Sequence, residues 1–327
     1  MSGGDLPTFD DVSDAAARLL SWAARTPLLE APGLSAALGY RLLVKAECLQ
    51  RTGSFKFRGA FNRLSRLDEA ARQRGVVAFS SGNHAQGVAC AAALLGMAAT
   101  IVMPGDAPIL KIERTRAYGA EIVLYDRARE SREEIAAGIA AERGATLVKP
   151  YDDPLIIAGQ GTTALEAIGQ AAALGVIFDA LLAPASGGGL IAGCALACEG
   201  LSPGTRIYAA EPAGLDDHAR SLAQGVRVAN RPEARSICDA LLAPMPGEIT
   251  FPVNRRLLAG GLVVSDDEVR HAMVVAFEEL KLVLEPSGAA AFAAALSGRI
   301  PGPNHAVCVI ASGGNVDRAS FAAALDS

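Results

Sequence analysis

From about residue 74 the chain alternates short apolar runs with amphipathic helical patterns, and this rhythm restricts the fold more than any other feature. Residues 76–79, 100–103 and 121–124 read as strands, and 86–95, 107–118 and 131–143 as the helices that follow them. A second series begins after Tyr151, with helices over 156–173 and 190–199 and strands over 180–184 and 206–210. Beyond a loop-rich stretch, 230–252, come helices over 266–280 and 287–296 and a strand over 306–310. Ahead of both series, 12–24 reads as a helix stopped by Pro27, and 41–47 as a β-rich run. Parallel strands need long crossovers, which helices usually supply. The expected fold is α/β, with two open parallel-sheet domains, and ligands belong outside the carboxyl ends of the strands.

Three glycine-rich loops fall at such strand ends: Ser80-Ser81-Gly82-Asn83-His84, Ser186-Gly187-Gly188-Gly189-Leu190 and Ala311-Ser312-Gly313-Gly314-Asn315. A glycine-rich turn opening a helix offers backbone N–H groups to an anion, with the helix dipole assisting. Each loop alone also reads as a tight βα turn; together they point to a composite active site. Thr52-Gly53-Ser54-Phe55-Lys56-Phe57-Arg58-Gly59-Ala60 adds a lysine to a chain whose basic residues are nearly all arginine. Burial at a helix N-terminus lowers an ammonium's pKa, and only the neutral amine attacks a carbonyl. Arginine cannot do this work. Alone, Lys56 reads equally as an exposed residue of a first helical turn.

A different function class is also written into the sequence. Gly187-Gly188-Gly189-Leu190-Ile191-Ala192-Gly193 lies between a strand and a helix, and Glu211 ends the next strand. That nearly satisfies a dinucleotide fingerprint and suggests a nicotinamide-dependent oxidoreductase, but leaves Lys56 and the Asn83 loop unexplained. A non-catalytic small-molecule binder is the other alternative, and it has no need of Lys56. A net charge of −5 without a Lys/Arg run argues against nucleic acid. The acidic N-terminus has no signal peptide and no apolar run reaches membrane-spanning length, so a cytoplasmic protein is expected. The six cysteines lack CxxC spacing and lie mostly in apolar surroundings; Cys194 and Cys198, a helical turn apart, read as core-facing thiols.

Taken together and in this order, the Lys56 stretch and the three loops resemble the fold-type II pyridoxal-phosphate enzymes, in the threonine dehydratase and serine racemase branch. The resemblance covers nearly the whole chain. It implies that residues 1–73 and 151–327 form a large cofactor-binding domain and 74–150 a small mobile one. It implies that Lys56 carries pyridoxal 5′-phosphate covalently and that Phe55 packs on its ring. Asn83 would bond the 3-hydroxyl oxygen, the amides of Gly187, Gly188, Gly189 and Leu190 the 5′-phosphate, and Ser312 the pyridine nitrogen. Ser81, Gly82, Asn83 and His84 would receive the substrate carboxylate. The β-replacement relatives usually have threonine where this chain has His84, which argues against them. No regulatory domain is expected after Asn315.

On that resemblance the expected activity is a β-eliminating ammonia-lyase acting on L-threonine and/or L-serine. A neutral hydroxyl at Ser312 cannot hold the pyridine nitrogen protonated, which favours elimination over transamination. Two alternatives stay open. Ser81 matches the serine that supplies the opposite-face base in serine racemases, although serine is also a favoured helix N-cap. Arg132 matches an arginine able to meet a second carboxylate, as in 3-hydroxyaspartate, or else pairs with Glu133 or Glu134 on a helix surface. The loop Ser236-Ile237-Cys238-Asp239-Ala240-Leu241 is expected to border the substrate side chain. Glu211, Asp217 and the Leu215 carbonyl match a divalent-cation site suited to Mg²⁺, or to Ca²⁺ or Mn²⁺, unless the acids are merely solvated. His218, His271 and His305 read as structural or surface residues. The expected partners are a β-hydroxy amino acid and a second copy of the chain in a homodimer.

Overall fold

Strand pairing sorts the chain into two sheets. The computed structural model describes residues 6–326. Its strands are β1 (Leu28–Glu30), β2 (Arg41–Ala46), β3 (Val76–Phe79), β4 (Ala99–Pro104), β5 (Glu121–Tyr125), β6 (Thr146–Val148), β7 (Ala180–Pro184), β8 (Arg206–Pro212), β9 (Gly260–Val264) and β10 (Ala306–Ala311). One six-stranded sheet runs β1-β2-β10-β7-β8-β9 and one four-stranded sheet runs β5-β4-β3-β6. Every pair is parallel except β1 with β2. The α/β expectation of two parallel sheets is met.

Helices cover both faces of each sheet, which is why the strands read as continuous apolar runs. Along β10, Val307 and Val309 pack into the core around helix Pro286–Leu296. Cys308 and Ile310 point the other way, into the core shared with helix Gly189–Leu201. In the smaller sheet Val76 and Ala78 join the core beneath helix Lys56–Ser65, and Val77 joins the opposite one. All six cysteines are buried free thiols. Among the described residues no helix is long and apolar enough to cross a membrane.

Two contacts position the helix that starts at Lys56. The first is ionic. Arg58 is fully buried; its Nε lies 2.7 Å from Glu47 Oε2 and its Nη1 2.8 Å from Glu166 Oε1. Lys45 Nζ, also buried, bonds Glu166 Oε2 at 2.8 Å and the Thr26 carbonyl at 2.7 Å. The second is close backbone packing. Helix Pro154–Ala173 lies between helices Lys56–Ser65 and Gly189–Leu201. A Cβ at Gly193 would stand 2.3 Å from the Ile157 carbonyl oxygen, so these backbones touch where only glycine fits.

The first helix is Phe9–Leu19, shorter than the expected 12–24. Tertiary contacts override the helical pattern there. Gln50 takes both backbone groups of Ala24, accepting its N–H at 2.8 Å and donating to its carbonyl at 2.7 Å. Trp22 stacks on Phe61 with ring centroids 4.9 Å apart. The edge strands β1, β6 and β9 and the helices Asp217–Gln224 and Thr250–Leu257 are short and were not separable from loop in the sequence; the last begins inside the stretch read as loop-rich.

Replacing Arg58 with Met leaves the buried Glu47 carboxylate without its ion-pair partner and Glu166 with Lys45 alone. Breaking such a network typically costs about 3–5 kcal/mol. Chemical denaturation of Arg58→Met is expected to show a loss of that size; a loss below about 1 kcal/mol contradicts the anchoring role assigned to this network.

Candidate active site

The carboxyl ends of β3, β7 and β10 open into a single cavity between the two sheets, and the Lys56 helix starts at its floor. Phe55, Lys56, Ser81, Gly82, Asn83, His84, Gly187, Gly188, Gly189, Leu190, Arg132 and Ser312 all line it. Twelve residues spread from 55 to 312 are thus gathered around one space. Glu211, Leu215 and Asp217 lie apart from it.

Lys56 Nζ donates to the Pro150 carbonyl at 2.9 Å and lies 5.1 Å from the Phe55 ring centroid. Its exposure is to the cavity alone, and burial lowers its pKa to about 8. The Phe55 N–H donates to the Ser312 carbonyl at 3.1 Å, and a bridge between Ser54 and Gly313 ties the lysine stretch to the last glycine loop. His84 is buried, and its Nε2 lies 3.1 Å from the Val148 carbonyl, which requires Nε2–H. Burial, then the charge of Lys56, drops its pKa to about 3, so the ring is neutral at physiological pH.

The loop after β7 has the form of an anion cradle. Gly188 sits at φ +90°, ψ 2° and caps helix Gly189–Leu201, whose first-turn amides have no helical carbonyl to bond. A Cβ at Gly187 would strike the Tyr151 ring at 2.2 Å, and one at Gly188 would meet His218 Nε2 at 2.5 Å. The Gly187 carbonyl is held by Thr250 Oγ1 at 2.6 Å and by the Gly247 amide at 3.1 Å. Buried Gln160 Oε1 beside Gly189 has no partner among the described residues. A phosphate-bearing pyridine aldehyde fits this donor set: an amine, a cradle of amides, and a hydroxyl from Ser312.

Asn83 is more heavily engaged than its sequence suggests. Its Nδ2 donates to Glu285 Oε1, and its Oδ1 accepts from Asn315 Nδ2 at 2.8 Å. Glu285 is buried on the cavity wall, and burial raises its pKa to about 7. Sequence reasoning missed it, although a lone acid in 282–295, a stretch otherwise apolar or small, was the signal. It also missed Lys111, whose Nζ pairs with Asp239 Oδ2 at 2.6 Å across the cavity. Asp239 belongs to the 236–241 loop, which does border the cavity at Asp239, Ala240 and Leu241. Arg132 pairs with Glu133 at 2.8 Å and lies over the Phe79 ring at 5.4 Å, yet still reaches the cavity wall. Ser81 does not cap helix Asn83–Leu94; Gly82 holds that position, and the Gly82 amide bonds Ser80 Oγ at 3.1 Å.

The acidic stretch after β8 is a buried cluster and not a solvated loop. Glu211 is fully buried and accepts the amides of His218 and Ala219, each at 2.9 Å. It cannot then serve a ribose, which removes the dinucleotide alternative. Burial, then the charge of Glu211, raises Asp217 to about 7. His218, read from sequence as structural or surface, is not at the surface: it is buried beside these two acids. Leu215 is buried in the turn that joins them. His271 and His305 are exposed, as expected.

A family model described as pyridoxal-phosphate dependent enzyme matches residues 19–313. The chain is 45% identical, over 98% of its own length and 99% of the other, to an L-threo-3-hydroxyaspartate ammonia-lyase of Pseudomonas sp. Among solved structures it superposes on maize serine racemase with a TM-score of 0.92, at 39% identity and 98% coverage of both chains. It superposes on a T.th. threonine deaminase with a TM-score of 0.89, at 44% identity, covering 95% of this chain and 99% of that one.

Amine-selective labelling of Lys56 in the cofactor-free protein should follow the neutral amine. The amine is charged below its pKa and reactive above it, so labelling is expected to reach half its maximum near the lowered value of about 8. A midpoint at the ordinary value of 10.5 would contradict the desolvated site.

Proposed function

The chain belongs to the pyridoxal-phosphate-dependent enzymes, and from that premise we propose that it is an ammonia-lyase converting a β-hydroxy amino acid to a 2-oxo acid and ammonia by β-elimination. The observation that carries this reading is a desolvated amine, Lys56, on the floor of the cavity into which all three glycine loops open.

When bound, pyridoxal 5′-phosphate supplies the electron sink for a carbanion at the substrate's α-carbon. The rest falls to the chain's own residues. Lys56 is the attachment point and the base for the α-proton, and an amine near pKa 8 is suited to that exchange at physiological pH. Phe55 would pack on the ring, Asn83 would bond the 3-hydroxyl oxygen, and the amides of Gly187, Gly188, Gly189 and Leu190 would hold the phosphate. Ser312 would meet the pyridine nitrogen with a neutral hydroxyl. Ser81, Gly82, Asn83 and His84 receive the α-carboxylate. Tyr151 packs against Gly187 at the edge of the cradle.

Within this class the substrate we propose is L-threo-3-hydroxyaspartate. Lys111 and Arg132 both line the cavity, and a second carboxylate needs such a cation. L-Threonine and L-serine form the second reading, favoured by the pairing of Arg132 with Glu133 and of Lys111 with Asp239, which leaves neither positive charge unmatched. Serine racemase with eliminase activity is the third, favoured by Ser81, whose side chain faces the cavity without a hydrogen-bond partner among the described residues. We further propose that a divalent cation, Mg²⁺ or in its place Ca²⁺ or Mn²⁺, binds at Glu211, Asp217 and the Leu215 carbonyl. The unpartnered, buried Asp217 Oδ2 supports this. The protein is proposed to be a cytoplasmic homodimer, with 74–150 as its small mobile domain and 1–73 with 151–327 as its large one.

A 2-oxo acid assay with L-threonine, L-serine and the 3-hydroxyaspartate isomers tests the reading. Lys56→Ala is expected to abolish turnover, and retained activity would overturn the lyase assignment. Arg132→Met should raise KM for hydroxyaspartate about tenfold to a hundredfold, the worth of a charge-assisted hydrogen bond, with little change for threonine. Equal effects on both substrates would return the choice to threonine and serine.

A further inference from the structure

The imidazole of His218 is unexplained by any role above. His218, Glu211 and Asp217 are all buried. His218 Nδ1 lies 3.5 Å from Glu211 Oε1 and 3.7 Å from Asp217 Oδ2. Both Nδ1 and Asp217 Oδ2 lack a hydrogen-bond partner among the described residues. Leaving two such buried atoms unmatched is costly, and the two face one another. Their separation is that of two donors sharing one ion: bonds of about 2.1 Å to imidazole nitrogen and carboxylate oxygen place ligands about 3.4 Å apart at a tetrahedral centre.

We propose that His218 Nδ1 is a direct ligand of the cation held by Glu211 and Asp217, and that the site therefore prefers Mn²⁺, Co²⁺ or Zn²⁺ to Mg²⁺ or Ca²⁺. The proposal rests on the reading above that a divalent ion binds here, and changes its identity. Carboxylate and carbonyl oxygens alone suit Mg²⁺ and Ca²⁺, whereas an imidazole nitrogen raises the affinity for first-row transition ions, least for Mn²⁺ and more for Co²⁺ and Zn²⁺.

The far side of the ring carries the consequence into the active site. His218 Nε2 lies 3.1 Å from Asn254 Nδ2, and the same amide reaches the Gly188 carbonyl at 3.4 Å. Asn254 is fully buried and its Oδ1 has no partner among the described residues. An ion on Nδ1 leaves the ring's proton on Nε2, which then needs an acceptor. Asn254 supplies one when its amide turns over and presents Oδ1, and Nδ2 then leaves the Gly188 carbonyl. Occupancy of the cation site is transmitted in this way to the glycine loop, through a partner of the kind that commonly fixes a ligating histidine's tautomer.

The test uses the holoenzyme, stripped of cations by chelation and then loaded with Mn²⁺ or Mg²⁺ alone. Electron paramagnetic resonance of the Mn²⁺-loaded unmodified enzyme is expected to show hyperfine coupling to a directly bound nitrogen. His218→Asn places an amide oxygen near the position of Nδ1, exchanging a nitrogen ligand for an oxygen one. It should remove that coupling and weaken Mn²⁺ about tenfold or more while Mg²⁺ affinity changes little. His218→Gln, which keeps a polar group toward Asn254, gives the same readout if the first variant folds poorly. Absence of nitrogen coupling in the unmodified enzyme overturns the proposal, as do equal changes for both ions in the variants. If the unmodified enzyme binds neither ion, the cation reading beneath it fails as well.

Discussion

Everything in the cavity depends on where the Lys56 helix begins, and that is fixed by a largely buried cluster of ions. Arg58, two residues beyond the lysine, is held by Glu47 from the end of β2 and by Glu166 from helix Pro154–Ala173. Lys45 closes the set on Glu166. Two positive and two negative side chains share the site, so the cluster carries no net charge into the interior. Such a network adds little stability over an apolar core, but it permits one arrangement only. That suits a residue whose amine has to be held at one point on the cavity floor.

The same cavity uses desolvation to shift groups toward their neutral forms. Lys56 falls to about 8 and His84 to about 3, while Glu285 rises to about 7, each chiefly by burial. A lysine ready to exchange protons therefore sits beside a histidine that does not compete for them. Asn83 lies between Glu285 and Asn315 with both of its polar atoms engaged, so its orientation is set before any ligand arrives.

Much of this was legible in the sequence, for identifiable reasons. Strands β3 and β7 and helix Asp266–Leu280 were read to the residue, because their apolar periods end at glycine, proline or an N-cap. The lysine and the glycine loops could be found because backbone requirements restrict residue choice there. Glu285 and Lys111 could not be placed, because each acts through a partner far away in sequence: Asn83 and Asp239. Local pattern carries no information about such pairs. The shortened first helix is the same lesson from the other side, since the side chain that ends it belongs to Gln50.

Helix Ile109–Ala117 explains how a cavity between two sheets can be both ordered and accessible. It packs on the smaller sheet, yet sends Lys111 to Asp239 and Arg114 to Asn315, both on the larger sheet's side. Asp239 is nearly half exposed, with 47% of its side chain open to solvent, and an ion pair so placed is worth about 0.2–1 kcal/mol. In the Arg58 cluster, by contrast, Arg58, Glu47 and Lys45 are fully buried and only Glu166 is partly exposed. The bonds that fix the Lys56 helix are thus the costly ones to break, and those that span the mouth are cheap. A reaction that must admit a charged amino acid and release ammonia requires that inequality, and it is the physical basis for the mobility proposed for residues 74–150.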